Sequence, residues 1–114
     1  MDLPTFLVAL HAAVLESKGA PALAGTIAVG VRQDGGARWW TGVFDGGVRA
    51  ALDVERPASP SAWLLMGTRS ADAIVAGRAP RPSDVDVGGD LALLDRFLAR
   101  YGAAVRPWQT RGGA

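Results

Sequence analysis

Two Asp-Gly-Gly triplets divide one long stretch of alternating residues, and this pattern constrains the fold more than any other part of the sequence. From Gly25 to Val54, apolar residues alternate with small or polar ones at a period of two, as half-buried β-strands require. The triplets at 34–36 and 45–47 supply the Asp and Gly residues that hairpin turns use. The stretch therefore predicts three antiparallel strands joined by two hairpins.

The lengths of the two hairpin loops decide which side chains share a face, because a slip of one residue inverts a whole strand. We expect a three-residue loop at 34–36, which places Val31 opposite Trp39, rather than a two-residue loop. We expect a two-residue loop at Asp45-Gly46, which places Val43 opposite Val48. This register predicts one shared apolar face: Ile27, Val29, Val31, Trp39, Thr41, Val43, Val48, Ala50, Leu52 and Val54.

Trp40 is then predicted on the opposite face of the sheet, across from Gly30 and beside Ala51. An indole that covers a cross-strand glycine is a known structural device. An exposed Trp on a flat sheet is also typical of a self-association surface. The sequence leaves both interpretations open. The second predicts a homodimer that forms through the Trp40 face of the sheet.

Helical spacing before the sheet predicts an amphipathic helix from about Pro4 to Lys18, which Gly19 and Pro21 end. The lone histidine, His11, falls at the edge of its apolar stripe, and we expect a boundary side chain with one hydrogen-bond partner rather than a catalytic base. The stripe consists of Leu3, Phe6, Leu7, Leu10, Ala13 and Val14.

After the three strands, the Pro-containing connector 56–60 is expected to carry the chain to the other edge of the sheet. A strand at 62–66 should place Leu64 and Met66 on one face. The following helix is predicted to have Thr68 or Ser70 as its cap and to end at Gly77.

The last elements are a short strand at 85–88 and a helix capped by Asp90. One domain covering residues 1–114 is expected, with 102–114 as a flexible tail. The last helix is predicted to bury Leu91, Leu94, Phe97, Leu98 and Tyr101.

Composition excludes several classes of function. The net charge of +1 gives no case for nucleic-acid binding, and the absence of cysteine excludes disulfides, thiolate metal sites and cysteine nucleophiles. No apolar run is long enough for a membrane span, and the sequence begins without a basic leader, so we expect a cytoplasmic protein. The Ala, Gly and Arg bias is typical of a GC-rich bacterial genome.

No group of residues predicts catalysis or a cofactor. Asp84, Asp86 and Asp90 are closely spaced, and Mg²⁺ could use such carboxylates, but a helix cap and a solvent-facing strand explain them better. The glycine doublets lack the layout of phosphate-binding loops and are explained as turns. We therefore expect no metal, no cofactor and no catalytic residue.

A resemblance adds to this interpretation. The segments ADAIVAG at 71–77 and VDVGGDLALL at 85–94 place a Gly-terminated helix before a strand that ends in Gly-Asp and leads into a final helix. This order resembles the sterol carrier protein 2 (SCP2) family. The short Pro- and Arg-rich loop after Gly77 looks still more like the C-terminal domain of the mycothiol-dependent maleylpyruvate isomerase family.

The resemblance implies an α+β fold, in which a five-stranded, mostly antiparallel, curved sheet has helices packed on one face. It also implies a pocket between sheet and helices for a lipid or another hydrophobic small molecule, with Thr41 as a polar contact. The alternatives are an enzyme or enzyme accessory that uses the same pocket, and a purely structural dimerisation module. The expected ligand contacts are Phe6, Leu10, Trp39, Thr41, Leu52, Leu64, Met66, Ile74, Leu94, Phe97 and Leu98.

Overall fold

Five strands form one mixed, mostly antiparallel sheet that packs with three helices in the part of the chain that the structure describes. The structure is a computed structural model, and it describes residues 4–17, 23–56, 58–76, 78 and 82–101. In chain order the elements are α1 (Thr5–Ser17), β1 (Gly25–Gln33), β2 (Gly36–Phe44), β3 (Val48–Val54), β4 (Ala62–Gly67), α2 (Thr68–Val75), a 3₁₀ turn (Pro82–Asp84), β5 (Val85–Gly89) and α3 (Leu91–Tyr101).

The strand order is β3-β2-β1-β4-β5. The first three strands form the predicted antiparallel meander, and β4 joins the free edge of β1 in a parallel pair. The connector after β3 therefore carries the chain across to the far edge of the meander, as predicted. The α+β class, the five strands and the mostly antiparallel pairing are confirmed.

Both predicted hairpin loops are wrong by one residue. Gln33 pairs with Gly36, so the first loop has two residues, with Gly35 at φ +86°. Phe44 pairs with Val48, so the second loop has three. The two errors cancel at β3, where Val48, Ala50 and Leu52 remain on the face that was predicted for them.

The errors do not cancel at β2, whose two faces are exchanged. Val29 pairs with Trp40 and Gly30 pairs with Trp39, whereas the prediction paired Val31 with Trp39. Alternation could not decide this register, because each face of β2 carries one indole. The face with Trp40 also carries the Phe44 ring, and these two large apolar groups face the helices.

A β-bulge in β3 moves its last residues to a new register. Trp40 pairs with Leu52 but Trp39 pairs with Val54, which makes Asp53 the extra residue, at φ +61°. Non-glycine residues adopt this conformation infrequently, and Asp is among those that tolerate it best. Val54 consequently does not lie on the face where it was predicted.

The helices confirm most of the predicted spans and correct three details. The predicted ends of the first and second helices, at 18–21 and at Gly77, lie outside the described residues, as does the predicted tail at 102–114. The N-cap of α2 is Gly67 with no side-chain bond, so neither Thr68 nor Ser70 caps it. In α3, Leu91 and Leu98 are exposed. The residues that α3 buries are Leu93, Leu94, Phe97 and Tyr101.

Candidate functional site

The covered face of the sheet, which we define as the face that packs against the helices, encloses one apolar cluster. From α1 it receives Phe6 and Leu10, and from α3 it receives Leu94 and Phe97. Leu64 and Met66 of β4 complete this part of the cluster, and each of these six side chains is no more than 4% exposed. Leu52 and Ile74 are half-buried and pack against it. Eight of the eleven predicted contact residues therefore lie together.

The other three predicted contact residues do not lie in this interior. Trp39 and Thr41 are on the opposite face of the sheet, because the observed register exchanges the two faces of β2. Leu98 is on α3 but is 36% exposed. The prediction missed Trp40 and Phe44, although their i, i+4 spacing along β2 already places two large rings on one face.

Aromatic rings fill the centre of the covered face. The Phe97 ring centroid lies 5.7 Å from that of Trp40, 6.1 Å from that of Phe44 and 5.3 Å from that of Tyr101. These separations are typical of packed aromatic pairs. The described side chains between the sheet and α3 are thus in mutual contact, and a ligand would have to displace them.

His11 has the structural role that was predicted for it. The Trp40 indole N–H donates a hydrogen bond to His11 Nδ1 at 3.2 Å, from the buried side of β2 to the edge of α1. A buried indole N–H needs such a partner. The contact fixes His11 as a boundary side chain and ties α1 to the sheet.

The open face of the sheet, opposite the helices, carries the remaining two described tryptophans, Trp39 and Trp63. The Arg56 guanidinium lies 5.5 Å from the Trp39 ring centroid and 5.0 Å from that of Trp63. Cation–π attraction at these distances holds the connector after β3 across this face. The indole that covers Gly30 is therefore Trp39 and not, as predicted, Trp40.

Thr41 also lies on the open face, where its Oγ1 is buried and finds no hydrogen-bond partner among the described residues. Thr41 pairs with Ala28 on one side and Ala51 on the other. Both neighbours are apolar, so neither side chain can satisfy the hydroxyl. Thr41 is therefore not the polar contact that was predicted for a pocket beneath the helices.

Ion pairs lie near the ends of several strands. Arg38 donates to both carboxylate oxygens of Asp53, at 2.6 and 2.7 Å, which lowers the pKa of the Asp53 carboxyl and raises the pKa of Arg38. Arg32 bonds both Asp84 and Asp86.

The three closely spaced aspartates are accounted for by these and similar contacts. Asp84 also accepts hydrogen bonds from the Gly67 amide and the Ser70 hydroxyl, and Asp90 caps α3 through the Leu93 amide at 3.1 Å, as predicted. Within the described ranges, no three His, Cys, Asp or Glu side chains gather as a metal site would require.

A second concave region, the α2 cavity, lies beside the start of α2. It has a volume of about 740 Å³ and lies where β4 leads into α2, outside the apolar cluster. Its lining mixes polar and apolar surface and includes charged side chains, unlike the apolar interior. The residues that line it are Gly67, Thr68, Arg69, Ser70, Ala73, Arg78, Ser83 and Asp84.

Solved structures of sterol carrier proteins share this architecture. The crystal structure of sterol carrier protein 2 like 2 from Aedes aegypti superposes with a TM-score of 0.61 at 18% identity, covering 83% of this chain and 92% of that one. A palmitated form of the mosquito protein, solved by NMR, gives 0.59 at 18% identity over 92% and 95% of the two chains. The chain has the sterol carrier protein 2 fold.

A bacterial structure supports the same fold. A conserved hypothetical protein from Thermus thermophilus superposes with a TM-score of 0.60 at 18% identity, over 94% of this chain and 90% of that one. By sequence, no family model and no curated protein matches this chain. The similarity is therefore one of fold, and the closer likeness to the maleylpyruvate isomerase domain stays a prediction.

The burial of Trp40 also corrects the predicted dimer surface. Trp40 is fully buried against α1 and α3, so it offers no surface to a second copy. An interface on the open face of β2 would have to use Trp39, which Arg56 already covers in part. Among the described residues, no helix is long and apolar enough to cross a membrane.

Proposed function

We propose that this protein binds a lipid or another hydrophobic small molecule between the covered face of the sheet and its helices. The observation that carries the proposal is the fold similarity, which extends over most of this chain and of the sterol carrier proteins it resembles. One of these neighbours was solved in a palmitated form. An apolar interior supports the same ligand class, because ligand pockets are lined mainly by hydrophobic and aromatic side chains.

The proposed contacts are the eight residues that the fold brings together: Phe6, Leu10, Leu52, Leu64, Met66, Ile74, Leu94 and Phe97. Leu98 lies at the exposed edge of α3, beside this set. Thr41 and Trp39 are left out because they lie on the open face.

Binding would require the aromatic centre to rearrange, since Phe97 packs against Trp40, Phe44 and Tyr101 without a ligand. Each methylene of an acyl chain that leaves water contributes about 0.8 kcal/mol, so a long chain can offset the loss of several core contacts. We therefore expect a site that opens as the ligand enters, with α1 or α3 moving away from the sheet.

The test is a titration of delipidated protein with ¹³C-labelled palmitate, followed by NMR of the ligand and of the protein. Saturable shifts are expected at Leu64, Met66 and Leu94, with no matching shifts at Trp39 and Thr41. Native mass spectrometry of the protein as purified should show an additional bound mass that delipidation removes.

An Ile74→Gln variant sharpens this test, because Ile74 is half-buried at the edge of the interior and tolerates substitution better than the central rings. Its affinity for palmitate should fall about tenfold, the effect of placing an amide beside the chain. Leu91→Gln is the matched control, since Leu91 is 52% exposed on α3. An absence of bound mass and of saturable shifts, or shifts confined to the open face, would overturn the proposal.

A further inference from the structure

The α2 cavity has the size of a small-molecule site but not the chemistry of the apolar interior. Its volume of about 740 Å³ lies within the range of roughly 300–1,000 Å³ that ligand sites occupy. Two arginines, Arg69 and Arg78, and two hydroxyl residues, Thr68 and Ser83, contribute to its lining. Such a lining suits a charged, oxygen-rich ligand.

The two arginines that line the cavity have their charged groups available. Arg69 lies in the first turn of α2 and Arg78 follows its last turn, and both residues are exposed. In the described part of the chain, neither guanidinium makes a hydrogen bond or an ion pair with a side chain. Each can therefore direct its donors to a ligand without breaking an existing contact.

The one carboxylate in the lining already has hydrogen-bond and ion-pair partners. Asp84 accepts from the Ser70 hydroxyl at 2.6 Å and from the Gly67 amide at 3.1 Å, and its Oδ1 lies 3.5 Å from a guanidinium nitrogen of Arg32. These partners offset part of its charge. The lining as a whole carries one more positive than negative charge.

We propose that the α2 cavity binds the phosphate group of a phosphate monoester, with Arg69 and Arg78 as its charged contacts. Guanidinium groups pair with phosphate through two parallel hydrogen bonds, and two of them match the double charge of a monoester. The Asp84 carboxylate already occupies the start of α2, on the Gly67 amide and the Ser70 hydroxyl, so the attraction for a phosphate comes from the two arginines. The volume leaves room for the esterified group.

A phosphate monoester can be a free metabolite or the headgroup of a lipid, and two ligands distinguish these sources. Glycerol 3-phosphate represents the first and lysophosphatidic acid the second, with glycerol as the uncharged control. Calorimetry gives the affinity, and ¹⁵N NMR reports whether the amides of residues 67–70 shift. Arg69→Gln and Arg78→Gln should each weaken binding about tenfold, as expected for one charge-assisted contact.

Arg96→Gln is the matched control, because Arg96 is an exposed arginine on α3 outside the cavity. Binding of glycerol 3-phosphate that depends on Arg69 and Arg78 but not on Arg96 supports the proposal. Binding of lysophosphatidic acid alone, with the same dependence, supports it and identifies a lipid headgroup. If neither ligand shifts the amides of 67–70, or if all three variants behave alike, the proposal is wrong.

The outcome of this experiment does not depend on whether the apolar interior binds a lipid. Palmitate carries no phosphate, and its predicted shifts fall at Leu64, Met66 and Leu94 rather than at the α2 cavity. A protein that binds palmitate but not glycerol 3-phosphate or lysophosphatidic acid would retain the proposed function and lose only this inference.

Discussion

The covered and open faces of the sheet use two adjacent tryptophans in opposite ways. On the covered face, Trp40 is fully buried, packs on the Phe97 ring and donates its N–H to His11. On the open face, Trp39 lies flat over Gly30 and beneath the Arg56 guanidinium. Trp40 is thus part of the apolar interior, whereas Trp39 covers the backbone at Gly30.

This difference shows that the role of an aromatic residue in a sheet depends on which elements pack against its face. The covered face meets α1 and α3, so large rings there exclude water and add to the main core. Within the described residues, the open face meets only the connector after β3, whose Arg56 guanidinium lies over both indoles. The two faces should therefore respond very differently to substitution.

The largest effect is expected on the covered face, from Phe97→Ala. The ring is 1% exposed and contacts three other rings, so its removal should lower the free energy of unfolding by about 3–5 kcal/mol. Urea denaturation measures the loss. Leu91→Ala, on the exposed side of α3, should change stability by less than about 0.5 kcal/mol. Similar losses in both variants would contradict the assignment of α3's buried side.

On the open face, Gly30→Ala should have the next largest effect. A Cβ at this position would lie 2.8 Å from the Trp39 ring, so the indole must shift, at a cost of about 1–3 kcal/mol in unfolding free energy. Gly47→Ala is the control, because a Cβ there would meet open space.

The contact between Trp39 and Gly30 can also be tested by a double variant. Combined with Trp39→Ala, the Gly30→Ala substitution should cost almost nothing further, because the ring that it displaces is gone. Additive losses in the double variant would mean that Trp39 does not lie over Gly30.

The hydrogen bond between α1 and the sheet should give a smaller effect. His11→Ala leaves the Trp40 N–H without its acceptor, and a double-mutant cycle with Trp40→Phe should return a coupling of about 0.5–1.5 kcal/mol. The cycle is measured by chemical denaturation at pH 7. A coupling near zero would show that the indole N–H finds another partner.

The smallest effect is expected from Asp53→Asn at the bulge, where both residue types tolerate the positive φ. Because Arg38 lowers the pKa of Asp53, the ionised carboxylate stabilises the fold above the unfolded-state pKa of about 4. That contribution is lost as the pH falls through the lower pKa of the folded state. The variant should be less stable than the wild type at neutral pH, and the two should converge in acid.

The element types, the meander and the place of β4 could be predicted because they follow from local signals. The connector 56–60 interrupts the meander with prolines, and the strand that follows alternates correctly, so β4 could be assigned to the far edge with Leu64 and Met66 facing the helices. Asp90 was identified as a cap because it directly precedes an apolar helix.

The partner of the Gly67 amide at the start of α2 could not be predicted, since this carboxylate comes from a distant segment. Asp84 reaches the Gly67 amide across 17 positions of sequence, and no local pattern signals this. The same long-range contact shapes the α2 cavity, which sequence reasoning did not find. The two arginines on either side of α2 were visible, but nothing in their spacing placed them at one cavity.

The sequence by itself determined the classes of the elements, the single sheet and the apolar character of its covered face, because period, turn residues and helix ends are local properties. Only the tertiary structure decided which face of β2 became the covered one. Trp39 and Trp40 are chemically identical neighbours, so alternation alone favours neither. The choice rests on distant partners: Phe97 and His11 complete the packing and hydrogen bonding of Trp40, while Gly30 leaves room for Trp39.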